Sequence, residues 1–189
     1  MPILSPEEAS QLTALSEIDW EHWEPLQKAT LLFVEQSGQV LLIRKKRGLG
    51  AGKINAAGGR LEAGETEKAC AVREMREELC VEVSDARYAG EIDFQFLDGY
   101  CFHLIVFTGS VFTGTPTETE EATPLWFPTD QIPYDEMWED DIFWVPQMLR
   151  GERFYGRFLF DGDRMVDSWM APPESVEQYL LSPHRFDEQ

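Results

Sequence analysis

Cysteine, histidine and long apolar runs are scarce in this chain of 189 residues. Its three cysteines, Cys70, Cys80 and Cys101, are odd in number and lack zinc-ligand spacing, so we expect reduced thiols. No apolar segment is long enough to span a bilayer, which excludes a helical membrane protein. The N-terminal MPILSPEEASQL has no basic region followed by an apolar run, so we expect no signal peptide and a cytoplasmic location.

Basic residues are also few, 16 against 35 acidic residues, and the formal net charge is −19. A general nucleic-acid surface should be basic, so we expect no nucleic-acid polymer as a partner. The overall field also repels a small anionic substrate. We expect a local positive region, helped by metal ions, to offset this repulsion, because several basic side chains occur close together in the sequence: Arg44, Lys45, Lys46, Arg47, Lys53 and Arg60.

The length and an apolar content of 43% predict a single domain with a hydrophobic core. We divide the chain into an N-terminal helical extension (1–28), a main domain (29–171) and a C-terminal helix with a tail (172–189). No internal repeat or linker is visible in the sequence. We expect a monomer.

Local patterns predict an α/β fold, a mixed sheet sandwiched between helices. Ser5-Pro6-Glu7-Glu8 has the residues of a helix start, and we expect that helix to run to about Glu17. Thr66 is the expected cap of a helix that ends near Leu79. Other expected helices are 140–149 and 173–181, and the expected strands are 29–35, 39–45, a short one near Ile54, 81–83, 88–97, 100–112, 125–127, 154–160 and 165–169.

The most informative stretch is GRLEAGETEKACAVREMREELCV, from Gly59 to Val81. Glu74, Glu77 and Glu78 are three and four residues apart, so they share one helical face. We call these three residues the acidic stripe. Like charges so placed repel one another, and hard oxygen ligands suit Mg²⁺ or Mn²⁺ shared with substrate phosphates. The stripe therefore predicts a metal-dependent phosphoanhydride site.

A glycine-rich loop precedes this stretch, between Arg47 and Gly59. It is either a simple connector or a backbone that approaches phosphate closely, as glycines beside basic residues indicate. Its glycines are Gly48, Gly50, Gly52, Gly58 and Gly59.

The charged positions of this stretch resemble the Nudix hydrolase signature, in which Gly59, Glu65 and Arg73-Glu74-x-x-Glu77-Glu78 have the family's spacing. A solvated charged helix face would account for Glu74 to Glu78 alone, but not for the other three residues. The resemblance implies an α/β/α sandwich in which the acidic stripe binds Mg²⁺, with Mn²⁺ as a substitute. It also implies that Glu65 and Arg73 pair to orient the loop and helix, and that further metal ligands are the Gly58 carbonyl and Glu121.

One position departs from the signature, because Cys80 stands where the family has glycine. Glycine just past a helix end usually adopts left-handed geometry. A cysteine there would cost about 1 kcal/mol in steric strain unless the turn rearranges. Cys80 is not a proposed ligand, so the departure leaves the expected chemistry unchanged.

Over most of Thr30 to Trp169 the chain is similar to the MutT-type members that hydrolyse oxidised purine nucleoside triphosphates. That resemblance implies conversion of nucleotides such as 8-oxo-dGTP or 2-oxo-dATP to the monophosphate and pyrophosphate, which sanitises the nucleotide pool. A metal-activated water attacks phosphorus, and the proton acceptor is Glu74, Glu77 or Glu121. The expected chemistry thus requires a small nucleotide substrate and divalent ions.

The same resemblance implies a base pocket in which Trp138 stacks on the purine and Asp140 and Asp141 bind its edge. Two neighbouring buried carboxylates should raise the pKa of one of them, so the pair can either donate a hydrogen bond to the purine or accept one from it. Alternatively, one aspartate caps the helix that follows. Substrate contacts are also implied for Thr30, Lys45, Leu49, Asn55, Gly58, Gly59 and Phe94. In the relatives, a phenylalanine stands at the position of Leu49 and a glycine-phenylalanine pair at Ala56-Ala57.

Two other functions stay open at this point. One is hydrolysis of a different phosphoanhydride, such as a dinucleotide polyphosphate or a nucleotide sugar. The other is a nucleotide-sensing module without turnover, which the complete acidic stripe disfavours. Trp138 with Asp140 and Asp141 favours the oxidised purines over the first alternative.

Overall fold

The computed structural model describes residues 4–181 of the chain. The α-helices are α1 Pro6–Ala9, α2 Glu67–Leu79 and α3 Asp141–Leu149, and three short 3₁₀ helices span Leu15–Glu17, Tyr134–Glu136 and Pro173–Gln178. The strands are β1 Gln27–Gln36, β2 Gln39–Lys45, β3 Ile54–Asn55, β4 Ala57–Arg60, β5 Val81–Val83, β6 Arg87–Phe96, β7 Cys101–Gly109, β8 Phe112–Gly114, β9 Ala122–Pro128, β10 Phe154–Asp161 and β11 Arg164–Met170.

Nine of the strands form one mixed sheet with the order β11-β10-β6-β7-β1-β2-β3, in which β4 also pairs with β1 and β9 with β2. β1 runs parallel to β7, and β10 parallel to β6, while the other pairs in the sheet are antiparallel. β5 and β8 form a separate two-stranded sheet. The expected mixed sheet is confirmed.

Two hydrophobic cores lie on opposite faces of the large sheet, because successive side chains of a strand point to opposite faces. Leu32 and Val34 of β1 belong to the core that α2 covers with residues such as Met75. Leu31 and Phe33 belong to the other core, where α3 contributes Trp144, Val145 and Met148. The predicted sandwich of helix, sheet and helix is therefore confirmed.

The prediction of one N-terminal helix to Glu17 is wrong, because α1 ends at Ala9. The Ser10 hydroxyl donates to the Glu7 carbonyl at 2.8 Å, and the Thr13 backbone N–H donates to the Glu17 carboxylate at 2.7 Å. Such side-chain bonds compete with the helical backbone pattern and favour a new turn. The predicted Ser5 cap is present, since Glu8 N–H donates to the Ser5 hydroxyl.

Two other predicted elements differ in the structure. The single strand expected over 100–112 is divided into β7 and β8, because the backbone N–H groups of Ser110 and Val111 donate to the Asp85 carboxylate instead of a strand. The last helix, expected to Leu181, is the 3₁₀ helix that ends at Gln178. The predicted tail from His184 onward lies outside the described residues, within which no helix is long and apolar enough to cross a membrane.

Cys80 has the left-handed conformation that the glycine of the signature usually adopts, with φ 60° and ψ 31°. We therefore expect Cys80→Gly to raise the free energy of unfolding by about 1 kcal/mol, because glycine carries no Cβ into this conformation. Urea denaturation would measure the gain. Cys80→Ala is the matched control, since alanine removes the thiol but keeps the Cβ, and an equal gain in both variants would contradict strain as the cause.

Candidate active site

Helix α2 positions the acidic stripe at the edge of β4. Its first turn is capped by Thr66, whose hydroxyl accepts from Ala69 N–H at 3.2 Å. Two glycines allow β4 to lie close to its neighbours β1 and α2. A Cβ on Gly58 would lie 1.9 Å from the Thr30 carbonyl oxygen, and one on Gly59 would lie 2.3 Å from the Glu74 carboxylate carbon. Glycine at 58 therefore lets β4 pack against β1, and glycine at 59 leaves room for the carboxylate of Glu74.

Arg73 is the centre of the ion pairs at this edge. Its guanidinium donates to both carboxylate oxygens of Glu65, at 2.8 and 3.0 Å, in the pairing that the sequence predicts. It also donates to Glu74 at 2.8 Å and to Glu77 at 3.2 Å, and Nη2 donates to the Arg60 carbonyl. Arg73 thus links the loop before α2 to two members of the acidic stripe.

Glu78 is the most buried member of the stripe, with 2% of its side chain exposed. One carboxylate oxygen accepts from Gly58 N–H at 2.9 Å, and the other lies 3.7 Å from the Lys45 ammonium. Burial raises the pKa of Glu78 to about 7, although Lys45 opposes the shift. Burial also raises the pKa of Glu74, and the charges of Glu77 and Glu121 add to that increase.

These four carboxylates fit a divalent cation by the chemistry of their oxygens and by their mutual repulsion. Glu121 acts electrostatically on both Glu74 and Glu78, so it lies close to the stripe although its carboxylate forms an ion pair with Arg47. Within residues 4–181, no three His, Cys, Asp or Glu side chains form a ready metal cage. The guanidinium of Arg73 accounts for this, because it binds the carboxylates of Glu74 and Glu77.

A cavity of about 390 Å³ connects this edge to the face of the sheet covered by α3. Glu121 and Gly59 line one part of it, and Trp138 lines another. The structure brings all the substrate-binding residues expected from the sequence into its lining: Thr30, Lys45, Leu49, Asn55, Gly58, Gly59, Phe94, Trp138, Asp140 and Asp141.

Three of these residues already bind other groups of the protein. The Thr30 hydroxyl donates to the Cys70 sulfur at 3.3 Å, and the side-chain Oδ1 of Asn55 accepts from the backbone N–H of Ala56 at 2.8 Å. The ammonium of Lys45 faces Glu78. Asn55 has its amide nitrogen left for a ligand, whereas the hydroxyl proton of Thr30 is already used within the protein.

The indole of Trp138 is fixed by its neighbours. It contacts Phe96 and Phe160 edge to face, with ring centroids 6.3 and 5.4 Å away. The ammonium of Lys53 lies 5.0 Å from the ring centroid. A Cβ on Gly50 would lie 2.8 Å from the indole nitrogen, so this glycine of the loop serves the approach of Trp138.

Asp140 and Asp141 are buried at the start of α3 and line the same cavity. Asp140 Oδ2 accepts from the Trp144 indole N–H at 2.8 Å, and Asp141 Oδ2 accepts from the backbone N–H of Trp138 at 3.2 Å. Burial raises the pKa of Asp140 to about 7, and burial together with the charge of Asp140 raises that of Asp141 well above its ordinary value. Asp140 does not cap α3 through its side chain, so the alternative role is wrong for this residue.

One oxygen of this pair has no partner within residues 4–181. It is the buried Oδ1 of Asp140. An unsatisfied buried oxygen costs free energy, so a donor from a ligand would be favourable at this position.

Beside the predicted Phe94, the cavity wall contains Tyr100 and Phe102, which were not predicted from the sequence. Phe94 stacks on Phe102, with ring centroids 4.7 Å apart, and Phe96 and Tyr100 continue the aromatic surface. The signal was available, because the Asp98-Gly99 turn places 94 and 102 opposite each other on adjacent strands. Other lining residues that were not expected include Gln27, Arg60 and Trp144.

Comparison with known proteins gives consistent matches. The NUDIX domain family matches residues 25–148. The oxidized purine nucleoside triphosphate hydrolase of Danio rerio is 42% identical over 72% of this chain and 88% of its own length, and that of Mus musculus is 40% identical over 74% and 90%. A solved MutT protein from Bacillus halodurans superposes with a TM-score of 0.71 at 26% identity, covering 78% of this chain and 99% of that protein.

Proposed function

The chain belongs to the Nudix hydrolase family, and from that premise we propose that it is a Mg²⁺-dependent pyrophosphohydrolase. Its proposed substrates are oxidised purine nucleoside triphosphates such as 8-oxo-dGTP or 2-oxo-dATP, and its products are the monophosphate and pyrophosphate. This reaction would remove damaged precursors from the nucleotide pool. The two similar animal proteins bear the name of this activity.

A single observation supports the proposal most strongly. One cavity has an aromatic and carboxylic region around Trp138 and Asp140, and it reaches Glu121 and Gly59 beside the acidic stripe. A nucleoside triphosphate has the same division, with a flat base at one end and a chain of anionic phosphates at the other. The cavity therefore matches the substrate in the order of its chemical groups.

At the phosphate end, we assign the metal to Glu74, Glu77, Glu78, Glu121 and the Gly58 carbonyl. When bound, Mg²⁺ or Mn²⁺ supplies an activated water and neutralises charge on the phosphate oxygens. Arg73 and Glu65 orient the stripe through their paired bonds. Glu77 is the best-placed proton acceptor, since 55% of its side chain is exposed and its carboxylate accepts from Arg73 at 3.2 Å.

At the base end, we assign stacking on the purine to Trp138 and recognition of its edge to the two aspartates. Stacking on an aromatic side chain contributes about 1–3 kcal/mol per base. A carboxyl group that is neutral near pH 7 can donate a hydrogen bond, and an ionised one accepts. The raised pKa of Asp140, about 7, allows both of its forms near neutral pH, and burial together with the charge of Asp140 favours the neutral form of Asp141. Oxidation changes the donors and acceptors of a purine, so this pair can distinguish damaged from normal bases.

The proposal is tested by measuring pyrophosphate release from a panel of nucleotides with Mg²⁺. We expect 8-oxo-dGTP or 2-oxo-dATP to have a kcat/KM at least about 10-fold above dGTP and dATP. Glu77→Gln is the control, because it keeps the side-chain size but loses the carboxylate. Preferential cleavage of dinucleotide polyphosphates or nucleotide sugars would contradict the substrate assignment, and tight nucleotide binding without any product would contradict the enzyme assignment.

We also propose that the protein acts as a cytoplasmic monomer without a nucleic-acid partner. The absence of disulfides among its three cysteines is consistent with a reducing compartment. The net charge of −19 disfavours binding to nucleic-acid polymers. Analytical ultracentrifugation of the purified chain would test the monomer directly.

A further inference from the structure

The segment before β1 binds the hairpin formed by β6 and β7. The Trp23 indole N–H donates to the side-chain oxygen of Gln95 at 3.1 Å. Gln95 is fully buried, and its amide nitrogen donates to the carbonyls of Phe96 at 3.0 Å and Tyr100 at 3.4 Å. One buried amide therefore connects Trp23 to both sides of the hairpin turn.

The turn of the hairpin is held by the same segment from a second side. A Cβ on Gly99 would lie 3.0 Å from the Cα of Pro6, so α1 lies directly against the turn. The Leu26 N–H donates to the Cys101 carbonyl at 3.2 Å, and the Cys101 thiol approaches the Glu24 carbonyl at 3.7 Å. The contacts come from both ends of residues 4–26.

This hairpin also supplies the aromatic wall of the substrate cavity, which consists of Phe94, Phe96, Tyr100 and Phe102. Gln95 lies between Phe94 and Phe96 on β6, so its side chain points to the opposite face of the sheet. The wall therefore faces the cavity, while the bonds of Gln95 hold the same strand from behind. The carbonyl of Tyr100 accepts one of these hydrogen bonds.

We propose that Trp23 is a positioning residue, which acts through Gln95 to fix the aromatic wall and thereby the fit of the purine base. The N-terminal segment is then part of substrate selection, although Trp23 does not touch the cavity. This inference rests on the proposed function only for the identity of the base. The hold on the hairpin is independent of any substrate.

The expected kinetic effect is on KM. The wall contacts the base, which does not change during attack at phosphorus, so it binds ground state and transition state equally. Losing the indole hydrogen bond should raise KM for the preferred oxidised nucleotide about fivefold and leave kcat within about twofold. The preference over the unmodified nucleotide should fall by a similar factor.

The experiment compares Trp23→Phe with Trp20→Phe in the full chain. Both variants remove an indole N–H from the same segment, but Trp20 donates to Leu15 at 2.9 Å, within the segment itself. Hydrogen exchange without substrate reports the hairpin, through the amides of Phe96 and Gly99, which bond across its turn. We expect about fivefold faster exchange and the increase in KM in Trp23→Phe alone.

A double-mutant cycle adds a second test. Gln95→Met removes both sets of bonds at similar volume, and in that background Trp23→Phe should have no further effect on KM. Equal effects of the two tryptophan variants, or additive effects in the cycle, would overturn the inference. If the wild-type chain did not prefer oxidised purines, the proposed function would fail, and hydrogen exchange would still decide whether Trp23 holds the hairpin.

Discussion

Replacing Glu78 by glutamine should lower kcat by on the order of 10³-fold and at the same time make the metal-free protein more stable at pH 8. Activity falls because glutamine supplies a neutral oxygen in place of a charged metal ligand. Stability rises because the carboxylate is 2% exposed and the bonds to it are few, Gly58 N–H at 2.9 Å and Lys45 at 3.7 Å. By this prediction the Glu78 carboxylate serves metal binding and lowers the stability of the metal-free fold.

The sign of the pH dependence follows from the raised pKa of Glu78, about 7 against an ordinary value of 4.5. Between these values the folded protein binds the proton more tightly than the unfolded chain, so the free energy of unfolding decreases as pH rises. The destabilisation caused by the ionised Glu78 carboxylate is complete above pH 7 and absent below pH 4.5. Glu78→Gln should recover on the order of 2 kcal/mol at pH 8 and nothing at pH 4, measured by urea denaturation in EDTA.

Glu77→Gln is the matched control for this prediction. It should also lose activity, but it should gain no stability, because the Glu77 side chain is 55% exposed. A second control is Glu120→Gln. Glu120 is exposed and precedes Glu121 in the chain, so this variant should retain both activity and stability. A Glu78→Gln protein that was as active as wild type, or less stable than wild type at pH 8, would contradict the assignment of a buried metal ligand.

Substitution of the two buried aspartates should change which nucleotides are accepted. We expect Asp140→Asn to lower kcat/KM for the preferred oxidised purine about 10- to 100-fold, because an asparagine cannot supply a charged acceptor. Unmodified dGTP should change by less than about threefold. Asp141→Asn should reorder the substrates differently, since burial and the charge of Asp140 raise the pKa of Asp141 and favour its neutral form, which is the donor.

The pH profile distinguishes recognition from simple damage to the pocket. The raised pKa of Asp140, about 7, means that its carboxylate is neutral below that pH and ionised above it. The wild-type preference among oxidised purines should therefore change between pH 6 and 8, and Asp140→Asn should lack that change. Glu139→Gln should keep the change and move it to lower pH, because the charge of Glu139 contributes to the raised pKa of Asp140. Unchanged substrate ranking in both asparagine variants would remove the pair from recognition.

The elements that the sequence predicted well have strong local signals. Helix α2 begins after Thr66 and ends at Leu79, as its cap and the glycine-like position of Cys80 indicate. β2 has the predicted bounds, and the Asp98-Gly99 hairpin is present. In each case the information lies within a few neighbouring residues.

Features that depend on distant residues were not predictable in the same way. Glu74 and Glu77 share Arg73, and Glu78 lies beside Lys45, but spacing along a helix reveals only that the carboxylates share a face. Helix α1 ends at Ala9 because the hydroxyls of Ser10 and Thr13 form hydrogen bonds that compete with the regular helical pattern.

The base end of the site also combines features that were predicted from the sequence with features that depend on distant residues. The resemblance to relatives placed Trp138 and the aspartates in one pocket, and they do line one cavity. The need for Gly50 beneath the indole, and the hydrogen bond from Trp23 to Gln95, arise from segments far apart in the chain. Only the folded arrangement brings these pairs together.

The central claim is that the acidic stripe holds divalent ions against a triphosphate chain. Its most direct test is the rate of pyrophosphate release from 8-oxo-dGTP by the wild-type chain, first in EDTA and then as Mg²⁺ is added back. We expect no release in EDTA and full recovery with Mg²⁺, whereas Glu77→Gln should stay inactive across the titration. Turnover that persists without divalent ions, or that is unaffected by neutralising the stripe, would contradict the account.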